Sequence, residues 1–227
     1  MLVDFDGTIT DADTLDVLVR ASGQNGAWEA IEQGLRAGAL PLRAALERQA
    51  ALVRFSLAEA LAVLAREISA DPTFPAFVAA ARAAGMRVAV VSSGLAPVVR
   101  ARLAALGLHD LEVVANEVDA APEGWRIRFR DLAPNGTDKV AIVECEQRAG
   151  RAVFYVGDGF SDYDAALAAD RVAAKRGRKL EQHLRRLGLP FVAFERFAEL
   201  EPLPASLARE LLPTSLRSPR RAFPAGR

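Results

Sequence analysis

A series of short apolar segments, alternating with helical patterns, limits the folds that this chain can adopt. Residues 1–5, 86–94 and 152–159 read as strands that stay apolar until they end in small or polar residues. Strands of this kind are buried on both sides, which is typical of parallel sheets covered by helices. The sequence therefore predicts an α/β fold with a parallel sheet and helices on both faces.

The remaining elements are predicted from their periodicity and turn signals. Two strands, 111–118 and 125–131, are separated by "DAAPEG" and are expected to pair as an antiparallel hairpin. The other predicted elements are strands at 171–174 and 191–194 and helices at 76–84, 95–106, 138–149, 161–169 and 177–187.

Residues 14–69 differ from the rest because their pattern is helical throughout, with no strand among them. Within this block, Ser56 and Glu59 have the spacing of a helix-capping box. We expect the block to form a helical cap, inserted after the first strand of one core domain. The predicted division is a core of residues 1–10 and 75–212, a cap of 11–74, and a disordered Pro- and Arg-rich tail of 213–227.

Composition excludes several classes of protein. The 29 basic and 29 acidic residues balance, which argues against nucleic acid as a partner. The single cysteine, Cys145, excludes an internal disulfide and a thiolate zinc site, and its apolar helix predicts that it is buried. His109 and His183 lack ligand spacing. No apolar run reaches the ~20 residues that span a bilayer and no signal peptide is recognisable, so we expect a cytoplasmic protein without a membrane partner.

Polar side chains follow the predicted strands, at the point where each strand ends. Because the carboxyl ends of parallel strands share one edge of the sheet, we expect these side chains to meet there. They are Asp4 and Asp6 after the first strand, Ser92 and Ser93 after the second, Asp158 and Asp162 after the third, and Lys139 at the start of a helix.

The charges at this edge indicate what could bind there. Four carboxylates brought together repel one another unless a cation binds among them or one of them keeps a proton. Oxygen ligands suit a hard cation such as Mg²⁺. A divalent ion together with Lys139 would leave about one negative charge in the cluster. The edge is therefore suited to a phosphate group that binds with Mg²⁺.

The motifs "DFDGT", "VSSG", an isolated Lys139 and "GDGFSDYD", in this order, resemble the four motifs of the haloacid dehalogenase superfamily. The resemblance covers about residues 1–200 and implies a Rossmann-like core. The helical insert resembles the superfamily's C1 cap. Within the superfamily, the chain is most similar to phosphoserine phosphatases and to the enol-phosphate phosphatase of methionine salvage.

The resemblance also implies a role for each residue. Asp4 is the expected nucleophile, which forms an aspartyl-phosphate, and Asp6 is the expected general acid and base. The expected phosphate ligands are Ser92, or its neighbour Ser93, and Lys139. The expected ligands of Mg²⁺ are Asp4, the backbone carbonyl of Asp6, Asp158 and, in an assisting role, Asp162.

Asp6 distinguishes between reaction classes. A halide leaves without a proton, whereas the alkoxide of a phosphate ester needs one, so an acid at this position favours phosphate ester hydrolysis. A small phosphorylated metabolite is the expected substrate. Two alternative functions other than hydrolysis stay open. The chain could be a phosphotransferase or mutase, or a non-catalytic phosphate-binding protein. The balanced charge argues against a polynucleotide phosphatase.

Two cap positions bear on the choice of phosphate ester. Phosphoserine phosphatases carry a Glu seven residues after the general acid, where this chain has Asp13, and an Arg on a cap helix, where it has Gln49. Gln49 lies on the apolar stripe of its helix, and Arg48 is rotated away from it. A neutral group in that place disfavours a carboxylate-bearing substrate. The short, Cys-free segment before Lys139 in turn departs from the methionine-salvage relative, so the substrate stays unassigned.

Overall fold

The computed structural model describes residues 1–200 of the chain, and the predicted tail and residues 201–212 lie outside this part. Seven strands form one sheet in the order β4-β3-β2-β1-β5-β6-β7. All neighbouring strands are parallel except β3 and β4, which form the predicted antiparallel hairpin. The strands are β1 (Leu2–Val3), β2 (Ala89–Leu95), β3 (Glu112–Asp119), β4 (Arg126–Arg128), β5 (Phe154–Gly157), β6 (Arg171–Lys175) and β7 (Val192–Phe194).

Successive residues of the central strands point to opposite faces of the sheet, as strand geometry requires. Val3 of β1 joins one apolar cluster, which is completed by the helices α5 (Phe74–Ala83) and α6 (Ala96–Ala105) and by the aromatic side chain of Phe197. Its neighbour Leu2 joins a second cluster on the other face, which is covered by the helices α7 (Lys139–Arg148), α8 (Tyr163–Ala168) and α9 (Lys179–Arg186). The sheet is thus buried on both sides, and the predicted α/β class is confirmed.

The helices follow the order that the sequence predicts, and the ends of those predicted one by one are shifted by one or two residues. They are α1 (Thr14–Ala21), α2 (Asn25–Arg36), α3 (Leu42–Leu52), α4 (Leu57–Glu67), α5 (Phe74–Ala83), α6 (Ala96–Ala105), α7 (Lys139–Arg148), α8 (Tyr163–Ala168) and α9 (Lys179–Arg186). The predicted capping box is present at the start of α4, where Ser56 and Glu59 each cap the other's backbone N–H.

Helices α1 to α4 pack on the carboxyl edge of the sheet through a third apolar cluster, which includes Leu95 and Trp125 of the core. The two chain segments that connect them to the core pair with each other. Thr10 and Ala70 form an antiparallel bridge, and Asp11 N–H donates to the carbonyl of Ser69 (3.0 Å). The chain therefore leaves the core and returns to it at one place, which is the geometry of an inserted cap.

One side-chain prediction is wrong. Cys145 is exposed, because the buried stripe of α7 runs through Lys139 and Val143 and a residue two positions further on faces away from it. Within residues 1–200, no helix is long and apolar enough to cross a membrane.

Candidate active site

The polar residues predicted from the sequence meet where β1 and β5 lie side by side. From this pair the sheet grows outwards through β2 in one direction and through β6 in the other. Such a switch in strand order opens a crevice at the carboxyl edge of the sheet. Asp4 stands at its floor: its N–H donates to the carbonyl of Val156 (2.8 Å), and only 4% of the residue is exposed.

Lys139 connects two of the predicted acids. It opens α7 and is 2% exposed, and its Nζ donates to Asp4 Oδ1 (2.6 Å) and to Asp162 Oδ1 (2.7 Å). Burial by itself lowers the pKa of this amine, but the two carboxylates outweigh it and raise the pKa above its usual range. A cation at a helix N-terminus opposes the helix dipole, so these carboxylates hold the ammonium in place.

Asp162 is fully buried, and both of its oxygens are engaged. Oδ1 accepts from Lys139 and from the hydroxyl of Tyr155 (2.6 Å), and Oδ2 accepts from the backbone N–H groups of Asp158 (3.1 Å) and Gly159 (2.9 Å). In this arrangement Asp162 orients Lys139 and the loop that carries Asp158. Its predicted role beside a metal ion stays a prediction.

The carboxylates have the composition of a site for a hard cation. Ligand oxygens of Asp4, Asp158 and Asp162 lie within 4.8 Å of one another. Burial, followed by the charge of Asp162, raises the pKa of Asp158 to about 7, and the same two causes raise the pKa of Asp4. The single ammonium of Lys139 therefore does not balance the group. An all-oxygen site with excess negative charge fits Mg²⁺.

Asp6 points towards the cap. Its Oδ1 accepts the backbone N–H of Thr14 (2.8 Å), in the first turn of α1, and its Oδ2 lies 3.5 Å from the hydroxyl of Ser92. Burial raises the pKa of Asp6 above its usual range, although the bond from Thr14 lowers it. A half-buried carboxyl group with a raised pKa can both give and take a proton.

The two serines after β2 differ in their contacts. Ser92 Oγ accepts from the backbone N–H of Gly94 (2.9 Å) and reaches Asp6, whereas the buried hydroxyl of Ser93 has no hydrogen-bond partner within the described chain. Two side chains that the sequence did not indicate hold this turn. Thr137 donates to the carbonyl of Ser92 (3.0 Å), and Asn116 donates to that of Ser93 (2.8 Å).

In the cap, Asp13 is exposed and caps α1, since its Oδ1 accepts the N–H groups of Leu15 (2.9 Å) and Asp16 (3.1 Å). Gln49 is 3% exposed, as its place on the apolar stripe indicates, and Arg48 faces solvent. The amide of Gln49 donates to the Asp16 carboxylate (2.8 Å). A role for Asp13 or Gln49 in specificity stays a prediction.

Sequence reasoning missed three further residues of the candidate site. Thr8 donates to Asp4 Oδ2 (3.0 Å) and lies 3.5 Å from Asp158 Oδ1. In the sequence, the one indication for Thr8 was its position four residues after Asp4. Tyr155 looks like an ordinary apolar residue of a buried strand, and Asp16 looks like a surface acid of a helix. Only their contacts show that they belong to the site.

Gly7 allows the Asp4 and Asp158 loops to meet. Its φ is +75°, and a Cβ atom at this position would overlap the carboxylate of Asp158.

We expect Gly7→Ala to lower the free energy of unfolding by roughly 1–2 kcal/mol through strain of the left-handed backbone. Displacement of the Asp158 side chain should lower it further. Gly23→Ala is the matched control, because its φ is +74° and the space around it is open. Urea unfolding would measure both. Equal losses for the two variants would contradict the close approach at Gly7.

The chain is similar to known proteins in both sequence and fold. Residues 1–167 match the haloacid dehalogenase-like hydrolase family. Pdp3-interacting factor 1 of Schizosaccharomyces pombe is 32% identical over 207 residues, covering 87% of this chain and 90% of that protein. The polyol phosphate phosphatase PYP1 of Saccharomyces cerevisiae is 29% identical over 216 residues, covering 88% and 90%. A substrate-bound phosphoserine phosphatase shares the fold, with a TM-score of 0.69, 21% identity and coverage of 89% and 96%.

Proposed function

The chain belongs to the haloacid dehalogenase-like hydrolase family, and we propose that it hydrolyses phosphate monoesters of small molecules, with Asp4 as nucleophile and Mg²⁺ as cofactor. One observation supports this most. The buried Asp4 carboxylate lies between the Lys139 ammonium (2.6 Å) and the Thr8 hydroxyl (3.0 Å), with Asp6 held on the side of the cap. A carboxylate and a proton donor thus approach one crevice from two sides.

In the first step, an oxygen of Asp4 forms a bond to phosphorus and the bond from phosphorus to the ester oxygen breaks. Asp6 transfers its proton to that oxygen, so the leaving group departs as a neutral alcohol. In the second step, the Asp6 carboxylate takes a proton from water, the water oxygen forms a bond to phosphorus, and the bond between the Asp4 oxygen and phosphorus breaks. Inorganic phosphate is released, and Asp4 and Asp6 return to their starting states.

Other residues hold the phosphate group and limit the repulsion between it and Asp4. Lys139 and Ser92 are the proposed ligands of phosphate oxygens, with Ser93 as the alternative to Ser92. The proposed metal ligands are Asp4, the carbonyl of Asp6, Asp158 and, in support, Asp162. When bound, Mg²⁺ would supply positive charge that offsets the carboxylates and the phosphate.

The cap is the proposed cover of this crevice. We assign residues 11–74 to the cap and residues 1–10 and 75–212 to the core. The contact between Asp6 and Thr14 (2.8 Å) brings α1 directly over the proton donor. A cover so close to the reacting group excludes bulk water and favours small substrates.

Release of inorganic phosphate from a panel of metabolite phosphates tests the proposal. With Mg²⁺ present we expect hydrolysis of at least one ester, and with EDTA we expect the rate to fall at least about 100-fold, because the carboxylates then repel the phosphate. Adding excess Mg²⁺ back is the control and should restore the rate. Hydrolysis that is equally fast in EDTA would contradict a metal-dependent site.

A further inference from the structure

Asp16 lies beside the proposed proton donor, on the cap side of the crevice. It stands in the first turn of α1, two residues after the N–H of Thr14 that binds Asp6. The leaving group of the ester, which receives the proton of Asp6, would therefore lie on the side of α1, the helix whose first turn carries both Thr14 and Asp16.

Neutral donors hold the Asp16 carboxylate in a fixed orientation. Oδ1 accepts from Trp28 Nε1 (2.7 Å) of α2 and from Gln49 Nε2 (2.8 Å) of α3. Oδ2 makes no hydrogen bond with any described residue and is not enclosed. One oxygen is thus used by the cap, and the other stays available as an acceptor.

The cations near Asp16 face solvent. Arg20, one turn after Asp16 on α1, lies over the Trp28 ring (5.4 Å) and is exposed, and Lys179 of α9 is exposed as well. Arg43 is half-buried but stacks on Phe129 (3.9 Å) and donates to the carbonyl of Asp131 (2.7 Å). No cation among residues 11–74 is buried, and the buried ammonium of Lys139 is paired with Asp4 and Asp162. A carboxylate on the leaving group would therefore meet the acids Asp6, Asp13 and Asp16 with only exposed or half-buried cations near them.

Ser93 adds an independent observation. Its hydroxyl is buried and has no partner among residues 1–200, and a buried polar group without a partner calls for an explanation. Ser93 lies where core and cap meet, since its Cβ and the Leu46 side chain of α3 both lie against Gly136. Leu46 is one turn before Gln49 on the same helix face. A ligand hydroxyl in this space would satisfy the serine.

We propose that Asp16, held by Trp28 and Gln49, is a specificity-determining residue that accepts a hydrogen bond from an uncharged, hydroxyl-bearing leaving group and disfavours leaving groups with a carboxylate. This inference rests on the proposed function and names the substrate class of the same site. Phosphoserine and other carboxylate-bearing esters are accordingly poor substrates.

The test compares glycerol 3-phosphate with 3-phosphoglycerate, which differ at one end by a hydroxymethyl group in place of a carboxylate. For the wild-type protein we expect kcat/KM to favour glycerol 3-phosphate at least about tenfold. In Asp16→Asn the side chain can still accept from Trp28 and Gln49, but it presents an NH₂ donor in place of Oδ2. We expect this variant to lower the preference about 10- to 100-fold.

Glu32→Gln is the matched control, because Glu32 is another acid near Asp16, and it should change the preference less than about twofold.

Gln49→Arg is a second variant. Its guanidinium offsets the charge of Asp16, so it should lower the preference for glycerol 3-phosphate as Asp16→Asn does. Hydrolysis of p-nitrophenyl phosphate separates the two proposals. If the wild-type protein hydrolyses it but the preference is absent or does not move in either cap variant, the inference is overturned and the proposed function stands. If no ester is hydrolysed, both fail.

Discussion

Asp4→Asn is expected to lower phosphate release about 10⁴-fold or more, the scale on which loss of a catalytic nucleophile acts. An amide does not attack phosphorus, and no other described carboxylate takes the place of Asp4 between Lys139 and Thr8. The fold should persist, because the single amide oxygen of an asparagine can accept from Lys139 while its NH₂ group donates to the Thr8 hydroxyl, and Lys139 keeps its bond to Asp162 (2.7 Å). Phosphate release under saturating Mg²⁺ measures the effect.

The control for this substitution is Asp164→Asn, the same change at an exposed acid of α8, and it should leave the rate within about twofold of wild type. A second readout is phosphate that stays on the protein after rapid acid quenching. We expect it in the wild-type protein and not in Asp4→Asn. An Asp4→Asn protein that hydrolyses ester at more than a tenth of the wild-type rate would refute the aspartyl-phosphate route.

Lys139→Met is expected to destabilise the protein by about 3–5 kcal/mol at pH 8, the cost of removing one partner from a buried ion pair. Met fills a similar volume, so the loss comes from the charges: the buried carboxylates of Asp4 and Asp162 would no longer share an ammonium. Urea unfolding measures this loss. Phosphate release should fall as well, since the same amine is a proposed phosphate ligand.

Lys179→Met makes the same change at an exposed lysine and should alter the free energy of unfolding by no more than ~0.5 kcal/mol.

The pH dependence of the stability of Lys139→Met gives a further check. Burial raises the pKa of Asp4 and Lys139 lowers it. Without Lys139, the folded-state pKa of Asp4 therefore lies further above the unfolded value, so the folded protein takes up a proton as the pH falls. The destabilisation of Lys139→Met should therefore shrink between pH 8 and pH 5. A loss no larger than that of Lys179→Met would contradict the buried charge network.

The sequence was sufficient to predict the order of the elements and the edge of the sheet at which the polar side chains meet. Strands that stay apolar until they end in Asp4, Ser92 or Asp158 have one stable arrangement, a parallel sheet buried on both faces. In that arrangement their carboxyl ends share an edge. The positions of Asp4, Asp6 and Lys139 followed from this local pattern together with the motifs.

Hydrogen-bond partners were decided only by the tertiary structure. Gln49 was predicted to face inwards, but its bond to Asp16 joins residues 33 positions apart, and Lys139 reaches Asp4 across 135 positions. The exposure of Cys145 and the four hydrogen-bond donors around Asp162 also could not be predicted from the sequence. Periodicity reports which side of an element is buried. It does not report which buried group lies opposite, because that depends on how separate helices and strands pack against one another.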